Sequence, residues 1–242
     1  MNTSVTHQGE MDLGLRSFML GTYKYMIAAM AVSGIVALLI GKFLLLDANG
    51  APTAMAYTLT RPSIALMMTI GIVMGFGTVG RKLHTMSVSG ARTFLFVFAA
   101  VMGVWLSTIA AFKDPMISVR IFFMASAMFA GVSLLGYTSK KNLSGLATFA
   151  AMAFIGVIVL MFANAFFFKA GGGSMFVLGL NAVGLLAVAA MTAWETQALK
   201  RTYHATVGNP ELAEKYAVFG AASLLLSFIN MFMMLMNLFG RD

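Results

Sequence analysis

The 242-residue chain has no cysteine, only four prolines and few charges. Without cysteine there is no disulfide, no thiolate metal site and no cysteine nucleophile, and the redox compartment is unmarked. Pro52, Pro62, Pro115 and Pro210 all fall outside or at the edges of the long apolar runs, so no helix is broken inside them. Charged residues make up 10% of the chain, far fewer than a soluble domain carries. His7, His84 and His204 lie in the N-terminal tail or in connections, where they cannot form a metal triad inside a membrane. The sequence contains no His-Glu-x-x-His, no Gly-x-Ser-x-Gly and no membrane-embedded pair of histidine and acid, so nothing points to a hydrolase. The last apolar run also lacks the interior lysine that a retinal Schiff base needs. Neither an enzymatic activity nor a cofactor is expected.

What the chain has in quantity is apolar sequence: 60% of its residues are hydrophobic, and its mean hydropathy is +0.89. Those values belong to an integral membrane protein. A helix needs about 20 residues to cross roughly 30 Å of hydrocarbon, which leaves room for about seven spans and little else. The runs fall at 25–46, 63–80, 93–112, 117–137, 146–168, 174–194 and 216–240. The fold expected is therefore an all-α membrane protein, a seven-transmembrane-helix bundle. A polar tail at 1–22 precedes a transmembrane domain at 23–240.

Ser227, Asn230 and Asn237 interrupt the last run, and such groups must find partners inside the protein when water is absent. That places the last helix at the centre of the bundle. Ser227 and Asn230 are three residues apart and share a helix face, where they line a cavity or hydrogen-bond neighbouring helices. Asn164 and Asn181, isolated in the fifth and sixth runs, read as interhelical hydrogen-bonding groups. Glu195, at the end of the sixth run, is either the acid of an ion or proton pathway or a span-end residue facing Lys200 and Arg201. The small-residue pairs Gly71 with Gly75 and Ala127 with Gly131 have the spacing of close helix packing. Met231, Met233, Met234 and Met236 point around their helix and serve packing better than a copper(I) site. Asn209, Pro210, Glu211 and Glu214 mark the start of the final helix.

The sixteen basic residues are spread over span ends, which fits membrane orientation and not nucleic acid. With the N-terminus cytoplasmic, the inner connections hold ten (Arg16, Lys24, Arg81, Lys82, Arg92, Lys140, Lys141, Lys200, Arg201, Lys215). The outer side holds the other six (Lys42, Arg61, Lys113, Arg120, Lys169, Arg241), with Arg120 as an interfacial anchor.

Four segments resemble one family. FAGVSLLGYTSKKNL at 129–143, AWETQ at 193–197, ASLLLSFINMF at 222–232 and RKLHTMS at 81–87 are similar to segments of bacterial Bax inhibitor-1-like (TMBIM) membrane proteins. The resemblance implies seven helices with the last wrapped by the other six, and a pH-sensitive calcium leak in the cell inner membrane. It also implies a latch of two aspartates, one on each of the last two spans, that share a proton because two close carboxyls cannot both ionise easily. Here Glu195 stands at the first position and Ser227 at the second, so the two-acid latch is absent and pH sensing is expected to be weakened or moved. The pathway residues implied are Glu195, Ser227, Asn230 and Arg81, the last as a possible cationic partner for Glu195. The expected partners are the lipid bilayer and calcium ions or protons, in a monomeric protein. The rival reading is a non-transporting regulator that binds a membrane-bound AAA protease.

Overall fold

The computed structural model of the chain describes residues 3–168 and 175–240. Their elements are α1 (Thr3–Phe43), a short α2 (Ala54–Leu59), α3 (Pro62–Lys82), α4 (Val88–Phe112), α5 (Pro115–Thr138), α6 (Ser144–Ala163) with a π-helical extension (Asn164–Phe168), α7 (Met175–Thr206) and α8 (Pro210–Phe239). Among the described residues there is no β-strand, only an isolated bridge between Leu46 and Pro52. All the helices except α2 are long and apolar enough to cross a membrane, seven in total. Lys169, Arg241 and the expected start of the sixth span at 174 lie outside the described residues.

The seven spans stand where hydropathy puts them, but several helices begin earlier or run on further than expected. The tail expected at 1–22 is continuous with the first span: α1 is helical from Thr3, and Leu15, Phe18 and Met19 are buried. The sixth span, expected to end at 194, continues to Thr206. At 1.5 Å per residue its 32 residues extend about 48 Å, more than the roughly 30 Å of hydrocarbon. Hydropathy loses the helix where Glu195, Thr196 and Gln197 begin, although the backbone does not. The caps are as expected: the Asn209 side chain accepts from the Leu212 amide at 3.0 Å, Pro210 sits in the first turn, and Gly208 takes φ of +92° in the turn before it.

α8 packs along α1, α4, α5 and α7. In its most apolar stretch 67% of the residues are buried, against at most 33% in any other span. α3 lies at the other extreme, packed on α2 and α4 and with no buried residue. The close approaches are not at the glycine pairs expected from spacing. A Cβ on Gly71 or Gly131 would meet nothing within 4 Å, whereas one on Gly136 would lie 2.0 Å from the Ala193 carbonyl oxygen. Spacing alone does not say which face of a helix meets a neighbour; here α5 meets α7 through Gly136.

The end of the bundle that carries the α7–α8 turn is tied by side chains. The Arg92 guanidinium pairs with the Glu214 carboxylate, which also accepts from the Tyr25 hydroxyl at 2.8 Å. Glu214 therefore joins α1, α4 and α8, a role beyond the helix-start position read from sequence. Glu211, as expected, sits in the first turn of α8 and pairs with Lys215 at 2.8 Å.

Candidate functional site

α7 and α8 run antiparallel, and their shared seam carries a series of polar contacts between the two helices. From one end to the other, Leu199 lies against Gly220, Glu195 faces Ser223 and Ser227, Met234 fills the space beside Gly184, and Asn181 meets Asn237. On α8 these contacts recur at steps of three, four and seven residues, so they occupy one face.

Glu195 is the chemical centre of the half of the seam nearer the α7–α8 turn. Its Oε1 accepts from the Ser223 hydroxyl and its Oε2 from the Ser227 hydroxyl, both at 2.7 Å. Among the described residues no cation pairs with it. Arg81, expected as a candidate partner, is exposed in the last turn of α3, the helix that buries nothing, and forms no ion pair with Glu195. The carboxyl is thus held by hydroxyl dipoles, which share the charge without cancelling it. Carboxylate oxygens have about four acceptor sites between them, and the two serines take two. Among the described residues these two hydroxyls are the donors bonded to Glu195.

The two residues after Glu195 fix α7 in place. The Thr196 hydroxyl lies 2.9 Å from that of Ser133, which lies 2.5 Å from that of Tyr23, a hydroxyl chain linking α7, α5 and α1. Gln197 reaches the α5–α6 connection: its Nε2 donates to the Lys141 carbonyl at 2.7 Å and its Oε1 accepts from the Leu143 amide at 3.0 Å. In the Glu195-Thr196-Gln197 triplet, then, the acid faces α8, the hydroxyl faces α5 and the amide holds a loop.

The half of the seam away from the α7–α8 turn is neutral. The Asn237 amide donates to the Asn181 carbonyl oxygen at 3.1 Å, so Asn181 does serve as interhelical hydrogen-bonding group. Asn230 shares its face with Ser227 but not its partners: it lines a separate cavity of about 390 Å³ together with Asn181 and Asn237. The structure therefore brings Glu195 and Ser227 together, leaves Asn230 a turn further along α8 and Arg81 elsewhere. Ser223, missed as a site residue, was legible as the residue four before Ser227 in the same run.

Among the described residues no three histidine, aspartate or glutamate side chains converge on a metal-binding geometry. Met231, Met234 and Met236 are buried in the core.

Seven apolar helices and a polar seam between the last two define a multi-pass all-α membrane protein. The chain belongs to the family described as Inhibitor of apoptosis-promoting Bax1, which it matches over residues 15–242. It is similar to protein RP147 of Rickettsia prowazekii (strain Madrid E), 28% identical over 99% of this chain and 95% of the relative. A protein of Deinococcus radiodurans is 30% identical over 97% of this chain and 94% of its own length. Inner membrane protein YbhL of Escherichia coli (strain K12) is 32% identical over 63% of this chain and 64% of its own length.

Proposed function

We propose that the protein is a slow cation leak of the bacterial inner membrane, passing calcium ions or protons along the α7/α8 seam with Glu195 at its inner mouth. The observation that carries the reading is the Glu195 carboxyl, held at membrane depth by two serine hydroxyls with no counter-charge among the described residues. An ionisable group in such a place is costly and marks a pathway more often than a scaffold. The asparagines further along the same face extend the polar surface from Ser223 to Asn237, about 21 Å at 1.5 Å per residue, or some two-thirds of the hydrocarbon thickness. The inner-membrane location is supported by the relative YbhL, described as an inner membrane protein. The cytoplasmic N-terminus is supported by the ten-to-six distribution of basic residues.

The test is calcium and proton flux into liposomes holding the purified protein. Glu195→Gln keeps the shape and removes the charge, and it is expected to lower flux at least about tenfold, some 1.4 kcal/mol on the barrier, with the melting temperature in detergent little changed. Flux equal in both proteins would refute the reading. If in addition removal of residues 2 to 20 alters turnover in cells, the protein is better described as a partner of a membrane-bound protease.

A further inference from the structure

The cavity lined by Asn230 has features beyond those a cation leak uses, above all its extended apolar wall. It lies between α3, α4, α6 and α8, and its volume of about 390 Å³ is within the roughly 300–1,000 Å³ of small-molecule sites. Most of its wall is apolar, with Phe154 and Ile158 from α6 and Ile72 from α3. One side is different: Asn230, Asn181 and Asn237 present carboxamides, with Thr69 and Trp105 also in the wall. Among the described residues no ionisable side chain lines it.

Asn181 and Asn237 bond each other, and Asn181 also donates to the Val177 carbonyl at 2.8 Å. Asn230 is bonded to no group among the described residues and is only partly buried, its open side being the cavity. A carboxamide offers two donors and an acceptor, and leaving it against hydrocarbon costs free energy that a lipid tail cannot return. The occupant must therefore bring a hydrogen-bonding group. A charged head would meet no counter-charge among the described residues and is disfavoured. α3 packs mainly on α2 and α4, and α6 mainly on α7, so the seam between α3 and α6 offers a way in from the bilayer.

We propose that this cavity binds an uncharged single-chain amphiphile, a hydroxyl head bonded to the Asn230 carboxamide with its hydrocarbon tail along the α3 and α6 walls. A hydroxyl both donates and accepts, as the carboxamide does, and the remaining wall suits a chain.

The inference does not rest on ion flux, and Trp105 allows it to be read directly. The chain has two tryptophans, so Trp194→Phe leaves Trp105 as the single indole, in the cavity wall. In phosphatidylcholine nanodiscs an ω-brominated long-chain alcohol should quench it saturably, while the brominated alkane of equal length quenches only in proportion to its membrane content. Asn230→Leu should raise the half-saturating alcohol fraction about fivefold, the size of one lost hydrogen bond. Ala65→Phe, on a helix that buries nothing and in the cavity wall, should abolish saturation without disturbing the fold. Alcohol and alkane quenching alike, or saturation unchanged in both variants, would show a cavity filled by lipid tails or water and overturn the proposal.

Discussion

Ser227→Asp is expected to make cation flux steeply dependent on pH, whereas wild-type flux should change much less over the same range. The Ser227 hydroxyl lies 2.7 Å from one Glu195 oxygen, so a carboxyl placed there falls within hydrogen-bond reach of the acid. Two carboxyls at that distance hold one proton between them and titrate as a unit. While the proton is shared the pair ties α7 to α8. As pH rises and the proton leaves, the two charges repel and the seam loosens. Flux through Ser227→Asp should accordingly rise by about tenfold or more between about pH 6 and about pH 8, a change of at least 1.4 kcal/mol on the barrier. Ser227→Asn, which adds similar bulk without the charge, should not do so. A profile for Ser227→Asp that overlays the wild type would mean that the seam does not open by separation of these two side chains.

The second large effect concerns stability. In Gln197→Leu the Leu143 amide and the Lys141 carbonyl lose the partner that now bonds them at 3.0 and 2.7 Å, and Arg201 loses an acceptor at 3.2 Å. Stripping one partner from a part-buried polar group costs about 1–3 kcal/mol, so a loss near 3 kcal/mol is expected for the set. The melting temperature in detergent should fall, and trypsin should cut faster at Lys140 and Lys141, which are exposed on the loop that Gln197 holds. Gln197→Glu keeps the acceptor and should fall between the two. Unchanged proteolysis in Gln197→Leu would show that the loop is held by its own turn.

These two residues mark what the sequence reveals and what it does not. Hydropathy located every span because transfer of the chain into hydrocarbon is a local property of about 20 residues. It missed the ends of α1 and α7 for the same reason, since a helix may leave the hydrocarbon without ending. Glu195 and Ser227 were legible as polar interruptions, and their pairing followed from the family pattern. Ser223 needed only the helical period. Gln197 was legible as part of a motif but not as a loop clamp, because its bonds reach residues 54 and 56 positions away. The same applies to Glu214, whose ties to Arg92 and Tyr25 span 122 and 189 positions. Spacing misled at Gly71 and Gly131, which face open space, because a small-residue pair is equally compatible with a face that no helix meets.

The central claim is that water and ions reach the polar face of α8. The chain has no cysteine, so single cysteines can be introduced without background and probed with a water-soluble thiol reagent in proteoliposomes. Ser223→Cys, Ser227→Cys and Asn230→Cys are predicted to react at rates well above Leu224→Cys and Leu225→Cys, whose parent residues on the same helix are fully buried. Seam cysteines as inert as those at 224 and 225 would contradict it.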